Sequence, residues 1–417
     1  MTEPAPDDAA VAGRSPWLTL FGASLSITLG ALPVFLLGAL AVFIRDELDF
    51  SPAALGAVAS LYYLSSALAS SPGGRLAERL GGGRAIAVAA TGTVIATLGI
   101  ALVATSWSRL AFFMVVAGIG NGIAFPSSNL ALARGIPAAR LGMAFGFKQS
   151  SGPIAALLAG IAVPLLGLTV GWRWAFLLAA AAGTPLIIAG LRARVPAGST
   201  KRVTAEVPAA PLVVLAFGAA GVVVAGSSLG AFYVESAVSH DIPTGVAGLL
   251  LAAGSLIGIV ARVGWGWVAD RSKIDHFHIV IGLLVLGSLG LVMLGMVSSM
   301  AGLVVVTVLV FATAWAWPGV FNFAVVSRLP HAPAMATGIT GTGQFAGGII
   351  GPLGFGLLVQ HRSYTAAWLF AAISVFLAAG FMYVGSRMLS AAIRPDAGIE
   401  TSPNGRVGTD VSSAPDG

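Results

Sequence analysis

The chain has 417 residues, of which 57% are hydrophobic and only 9% are charged, and its mean hydropathy is +0.93. A soluble domain carries about 25% charged residues, so this composition excludes a soluble enzyme, a secreted domain and a disordered chain. It indicates a protein that crosses a lipid bilayer several times. The absence of cysteine excludes disulfides and thiolate metal sites. The net charge of +6 does not indicate nucleic-acid binding, because membrane topology accounts for where the charge lies.

In chain order, a polar segment (1–16) is followed by twelve apolar segments and a second polar segment (389–417). Both polar segments are predicted to be disordered tails. Each apolar segment is long enough to span the membrane as a helix, and the long continuous apolar runs argue against a β-barrel. The predicted spans are 17–44, 51–72, 85–106, 109–131, 141–166, 172–191, 209–234, 244–268, 277–298, 301–324, 334–359 and 365–388. A basic linker (192–208) separates two predicted six-helix bundles, 17–191 and 209–388.

The basic residues predict the orientation of these spans. If the N-terminus is cytoplasmic, 16 of the 22 Lys and Arg residues lie on the cytoplasmic side. Four lie on the other side, and two, Lys148 and Arg262, lie inside spans. The positive-inside rule therefore places both termini in the cytoplasm. Richness in Ala, Gly and Arg favours a multi-pass protein of a bacterial inner membrane.

The two predicted bundles repeat each other. The segment from Gly74 to Arg79 (GRLAER) corresponds to the segment from Gly266 to Arg271 (GWVADR), 192 positions later. Gln149 and Gln344 correspond at an offset of 195. A duplicated six-helix unit is typical of secondary transporters, whose substrate sites lie near the middle of the membrane where the halves meet.

At these residues the chain resembles the major facilitator superfamily. The loop after span two, with Gly74, Glu78, Arg79 and Arg84, is similar to the gating loop of that superfamily, although Glu78 replaces the usual aspartate and one extra glycine precedes Arg84. A second copy ends span eight at Gly266, Asp270 and Arg271. The resemblance implies an all-α fold of twelve helices in two pseudo-repeats around a central cavity, a monomer, and alternating access.

The gating loops have two interpretations. Charge-assisted hydrogen bonds between their acids, their arginines and the facing half would hold the cytoplasmic side shut in one state. Alternatively, the arginines only fix the membrane topology. The recurrence of the same acid–arginine pattern in both halves favours a gate.

Lys148 and Arg262 are the main candidates for substrate contact, because charges inside spans are costly and are usually functional. Each lies eight residues from the cytoplasmic end of its span, or about 12 Å deep at 1.5 Å per residue. No Asp or Glu falls in the middle of a span. The pair therefore predicts an anionic substrate, which Arg262 would grip through two parallel hydrogen bonds and Lys148 as a point charge. The alternatives are that Lys148 extends toward the interface and that Arg262 only satisfies backbone carbonyls.

Four polar residues at similar depth are weaker candidates: Gln149, Gln344, Asn121 and Tyr63. Each either contacts the substrate or makes an ordinary hydrogen bond between helices. Glu235, at the outer end of span seven, is either a proton site or an ordinary interfacial acid. The five histidines lie in loops or at span ends without metal-ligand spacing. No enzymatic motif occurs, so we expect a protein that is not an enzyme and has neither metal nor cofactor.

These observations favour a transporter for a small organic anion, similar to bacterial permeases for monocarboxylates. It would catalyse uptake alone, with a proton or by exchange. The alternative is a drug/proton antiporter. That group carries a Gly-x-x-x-Gly-Pro motif in span five, where this chain has Gly152-Pro153 but Lys148 at the first glycine. The full motif, from Gly347 to Pro352, occurs in span eleven instead. A membrane sensor that transports nothing is a third, less favoured class.

Overall fold

A computed structural model describes residues 16–193, 207–330 and 332–393. Most of the predicted tails and of the linker, including Arg14, Lys201 and Arg406, lie outside these ranges. The described residues form helices joined by short turns, which confirms the predicted all-α fold. Eleven of the described helices are long and apolar enough to cross a membrane, and a shorter apolar helix begins the remaining span.

Each predicted span corresponds to one to three helical segments. The first six spans are Pro16–Ala39 with Ala41–Leu48, then Pro52–Leu80, Gly82–Val103, Trp107–Gly135, Ala138–Gln149 with Ser151–Ala162 and the π-helical turn Val163–Gly167, and Arg173–Leu191. The last six are Ala209–Val238, Thr244–Arg271, His276–Leu294, Met300–Ala312 with Pro318–Arg328, Pro333–His361 and Tyr364–Ile393. The charge pattern predicts that the end of the bundle holding residues 49–51 faces outward. We call it the outer end and the opposite end the inner end.

Short polar caps fix where several helices begin. Ser51 precedes Pro52 and accepts a hydrogen bond from the backbone N–H of Ala54 at 3.2 Å. Ser299 accepts in the same way from Gly302, and Asp275 from Phe277. Each side-chain oxygen satisfies an N–H group that has no partner within its helix. The spans are therefore separated by tight turns rather than by long loops.

Spans five and ten differ from the prediction of continuous helices. Span five is interrupted at one residue, Ser150, whose dihedral angles stay in the helical region, and span ten is interrupted by turns at residues 313–317. Proline lacks a backbone N–H and crowds the carbonyl four residues earlier. Pro153 therefore leaves the carbonyl of Gln149 without its helical donor, and Pro318 begins a new helix after the turns. Both breaks expose backbone carbonyls in the middle of the bundle.

Large apolar side chains cover much of the outside of the bundle. Leu18, Val263 and Met296 are 71%, 68% and 72% exposed. Inside, glycine and alanine bring helices together, and aromatic rings fill the wider gaps, as where Phe355 lies 4.7 Å from Trp368. An apolar exterior around a small-residue core is the arrangement that a lipid solvent favours.

Candidate functional site

Lys148 lies in the last turn before the break in span five, and it is only 3% exposed. Its ammonium donates to the side-chain oxygen of Asn129 on span four, and it lies 4.1 Å from the centre of the Phe125 ring. An amide oxygen and the face of an aromatic ring both stabilise a cation. Lys148 is therefore held inside the bundle rather than extended to the membrane surface.

Arg262, on the continuous helix of span eight, bonds to the interrupted segments of spans five and ten. Its Nε and Nη2 donate to the carbonyl oxygen of Trp315 at 3.1 and 2.8 Å, in the interrupted segment of span ten. Its Nη1 donates to the carbonyl oxygen of Gln149 at 2.5 Å, at the break in span five. These bonds use three of the five guanidinium N–H groups. Arg262 thus satisfies carbonyls, as one alternative predicted, and retains donors for a further acceptor.

The two cations originate at adjoining points of the bundle. The acceptor of Arg262 is the carbonyl of Gln149, the residue that follows Lys148. The Asp and Glu residues of the described ranges lie near helix ends or in turns, and among them only Glu235 is buried. The Arg262 guanidinium therefore lies where span five meets span eight, and the Lys148 ammonium, from the neighbouring residue of span five, lies against span four.

The weaker candidates separate into two groups. Asn121 donates to the hydroxyl of Ser66 at 2.9 Å and ties span four to span two, which is the ordinary structural interpretation. Tyr63, Gln149 and Gln344 are partly buried. The Tyr63 ring packs against Gly348 of span eleven, one helical turn after Gln344. Tyr63 and Gln344 therefore lie near one seam between the two halves, and Gln149 lies at the other.

The prediction of a loop after span two was wrong for residues 74–80, because the helix Pro52–Leu80 continues through them, just as Thr244–Arg271 contains the second copy. The two copies of the motif do not meet in this structure. Glu78, Arg79, Asp270 and Arg271 are exposed, and across the described ranges no hydrogen bond or ion pair joins the two copies. Arg84 instead donates to the carbonyl oxygen of Ala193 at 3.2 Å, within its own half. Gly74 and Gly266 have no heavy atom closer than 3.7 Å to a Cβ placed on them. The gate at the inner end stays a prediction.

The outer end is closed by direct backbone contact between the halves. A Cβ placed on Gly38 would lie 2.1 Å from the carbonyl oxygen of Gly230, and one on Gly160 would lie 2.6 Å from that of Gly248. Toward the inner end of the same spans, a Cβ on Gly152 or Gly264 would meet nothing within 4 Å. The halves therefore touch through their backbones at the outer end, whereas these two inner glycines have no such close neighbour.

Glu235 forms an ion pair with Arg45 across this closed end. The carboxylate is buried, and its second oxygen has no hydrogen-bond partner. The two residues are 190 positions apart, close to the repeat offset, so they occupy nearly equivalent places in the two halves. The sequence prediction treated Arg45 only as a topological charge. The sequence did contain a signal for this ion pair, because Arg45 and Glu235 have opposite charges and occupy nearly equivalent positions in the two repeats.

Asn129 and Phe125, which hold Lys148, were also missed by the prediction. A neutral amide and a ring on an apolar helix carry no pattern that distinguishes them from ordinary helix contacts. Only the approach of span four to span five brings them to the ammonium.

Comparisons with known proteins agree with this geometry. Residues 17–352 match the sequence profile of the Major Facilitator Superfamily. A curated relative, an uncharacterized MFS-type transporter of Mycobacterium tuberculosis, is 27% identical over 163 residues. This alignment covers 39% of the present chain and 28% of the relative, so the chain spans little more than a quarter of that protein's length.

Solved structures share the architecture. The xylose transporter XylE from E. coli, in an inward-open conformation, has a TM-score of 0.74 at 14% identity, covering 91% of this chain and 100% of that one. A bacterial homologue of the human lysosomal transporter Spinster, inward-facing and occupied, gives 0.70 at 17% identity, covering 93% and 100%. These likenesses establish the fold. Since the family profile matches well over half of its residues, the chain belongs to the major facilitator superfamily as a multi-pass membrane protein.

Proposed function

We propose that this protein is a secondary transporter that takes up a small organic anion of the carboxylate class by alternating access. The observation that carries the proposal is the Arg262 guanidinium. It lies at the junction of the two halves, contacts only neutral carbonyl oxygens among the described residues, and retains two N–H groups. A carboxylate would offset its charge and accept those hydrogen bonds.

Lys148 supplies a second positive charge beside this junction. The carbonyl of Gln149, the residue after Lys148, accepts a hydrogen bond from Arg262. A substrate bound to the Arg262 guanidinium would therefore lie near the backbone of Lys148. A bound anion would thus interact with span five in one half and span eight in the other. Contact with both halves lets binding energy bias their relative position.

The conformation fits one stage of this cycle. With the predicted orientation, both termini are cytoplasmic and the closed end of the bundle is the outer side. The two six-helix units, 17–191 and 209–388, would then rock against each other as a monomer in a bacterial inner membrane. A proton could accompany the substrate, with Glu235 as its candidate site.

The test is the thermal stability of detergent-purified protein with a panel of carboxylates, inorganic anions and cationic amphiphiles. A ligand at 100 times its Kd that binds only the native state should stabilise it by about 2.7 kcal/mol. We expect a carboxylate to stabilise wild type but neither Lys148→Ala nor Arg262→Ala. Arg109→Ala is the control, because this arginine is exposed at the outer end.

The opposite result would favour the drug/proton antiporter. If only cationic or neutral amphiphiles stabilise the protein, and the two variants respond like wild type, the cations are structural. The Gly347–Pro352 motif would then be the better guide to function.

A further inference from the structure

The glycine–proline motif of span eleven packs that span inside its own half. A Cβ placed on Gly347 would lie 2.2 Å from the carbonyl oxygen of Ala220, and one on Gly351 would lie 2.4 Å from that of Val224. Both acceptors belong to span seven. The two motif glycines therefore let spans seven and eleven touch through their backbones.

The opposite face of span eleven touches span two, in the other half. A Cβ on Gly356 would lie 2.5 Å from the carbonyl oxygen of Pro52, and one on Gly56 would lie 2.1 Å from that of Pro352. Span eleven is thus held between a helix of its own half and a helix of the facing half. We call its contact with span two, through residues 52–63, the outer seam.

Ser60 lies within the outer seam and is 6% exposed. Its hydroxyl donates to the carbonyl oxygen of Ile349 at 2.6 Å and accepts from the backbone N–H of Leu353 at 3.1 Å. In an α-helix these two groups are each other's partners. The helix Pro333–His361 continues through this point, and Pro352, which has no N–H, leaves this turn one helical hydrogen bond short.

We infer that Ser60 is a state-dependent gate residue, which bonds span eleven when the outer end is closed and releases it when the outer end opens. On release, Leu353 N–H and Ile349 C=O bond each other, so span eleven leaves no buried polar group without a partner. The seam can therefore separate without the penalty of an unsatisfied backbone group. This inference rests on alternating access and is independent of the substrate's charge.

The experiment measures the gate directly, without substrate. Because the chain has no cysteine, spin labels at Ser108→Cys and Ser298→Cys are the only ones present. Both positions are exposed at the outer end, in different halves. Pulsed electron paramagnetic resonance then gives the populations of short (closed) and long (open) distances. We expect Ser60→Ala to raise the open-to-closed ratio about five- to tenfold, as loss of one hydrogen bond implies.

The matched control is Ser65→Ala on the same helix, because its hydroxyl donates only to Tyr62 of its own span. We expect this variant to keep the wild-type distance distribution. The inference is overturned if Ser60→Ala leaves the distribution unchanged, or if both variants shift it equally. Far-ultraviolet circular dichroism of each labelled protein confirms that the helices are intact.

Discussion

Arg262 shows how one residue can serve the fold and still offer a charge to a ligand. Its donors satisfy carbonyls that the breaks in spans five and ten release. A buried cation is costly unless it is surrounded by acceptors, and these neutral oxygens lower that cost without cancelling the charge. The same contacts tie the two halves together, so an anion that competes for Arg262 would act on their relative position.

Asn129 gives a sharp test of the role of Lys148. In Asn129→Asp, a carboxylate takes the place of the amide oxygen that now accepts from the ammonium. The permanent ion pair would cancel the charge offered to the substrate, so we expect anion affinity to fall about tenfold or more. Titration calorimetry measures the affinity. Asn129→Ala, which adds no charge, should weaken binding less, and equal affinity of Asn129→Asp and wild type would rule out charge contact by Lys148.

Glu47, in the last turn of the helix Ala41–Leu48 at the outer end, predicts a pH dependence of stability. Burial by itself would raise the pKa of Glu47, but hydrogen bonds from Arg173 and Trp172 outweigh it and hold the pKa below its ordinary value. The resulting stability is present above the unfolded-state pKa, about 4.3, and is lost as the pH falls through the lower folded-state value.

The measurement is the melting temperature of Glu47→Gln between pH 6 and pH 3, against wild type. We expect a smaller acid-induced decrease in the variant. The effect should be small, because the Glu47 side chain is 47% exposed. Asp46→Asn, a substitution at the exposed neighbouring residue, is the control and should follow wild type. A decrease in Glu47→Gln as large as that of wild type would show that this carboxylate does not contribute.

At the scale of helices, close approach depends on single glycines. Gly38→Ala places a methyl group 2.1 Å from the carbonyl oxygen of Gly230, so spans one and seven must move apart. We expect this variant to favour the open outer end, read as a longer distance between labels at Ser108 and Ser298. Gly22→Ala is the matched control on the same span, since a Cβ there meets nothing within 4 Å. It should be neutral or stabilise the helix by up to about 1 kcal/mol.

For the whole molecule, the balance between outer-closed and outer-open states includes the Arg45–Glu235 ion pair. Arg45→Ala leaves a buried carboxylate without its charged partner in the closed state, which is costly. We expect the open population of the doubly labelled protein to rise more than tenfold, and the rise with Glu235→Gln added to be smaller than the sum of the single effects. Strictly additive effects would show that the pair does not couple the halves.

The amino-acid sequence by itself determined the number of spans, where each span begins to within about three residues, and the internal repeat. These features follow from length, apolar composition and 1.5 Å per residue, which are properties of each segment alone. It did not determine the breaks in spans five and ten. A proline permits a break, but neighbouring acceptors and donors decide whether a helix bends, breaks or stays continuous.

Only the tertiary structure decided which groups meet. The carbonyls that hold Arg262, the amide beside Lys148, the Arg45–Glu235 pair and the Ser60 bridge all join residues 19 to 293 positions apart. The apolar pattern of a segment predicts that it spans the membrane, but it does not predict which helix it packs against. The reason is that lipid and the protein interior are almost equally apolar. The contacts between helices depend on the shapes of their surfaces and on small residues at particular positions. They can be identified only in the folded structure.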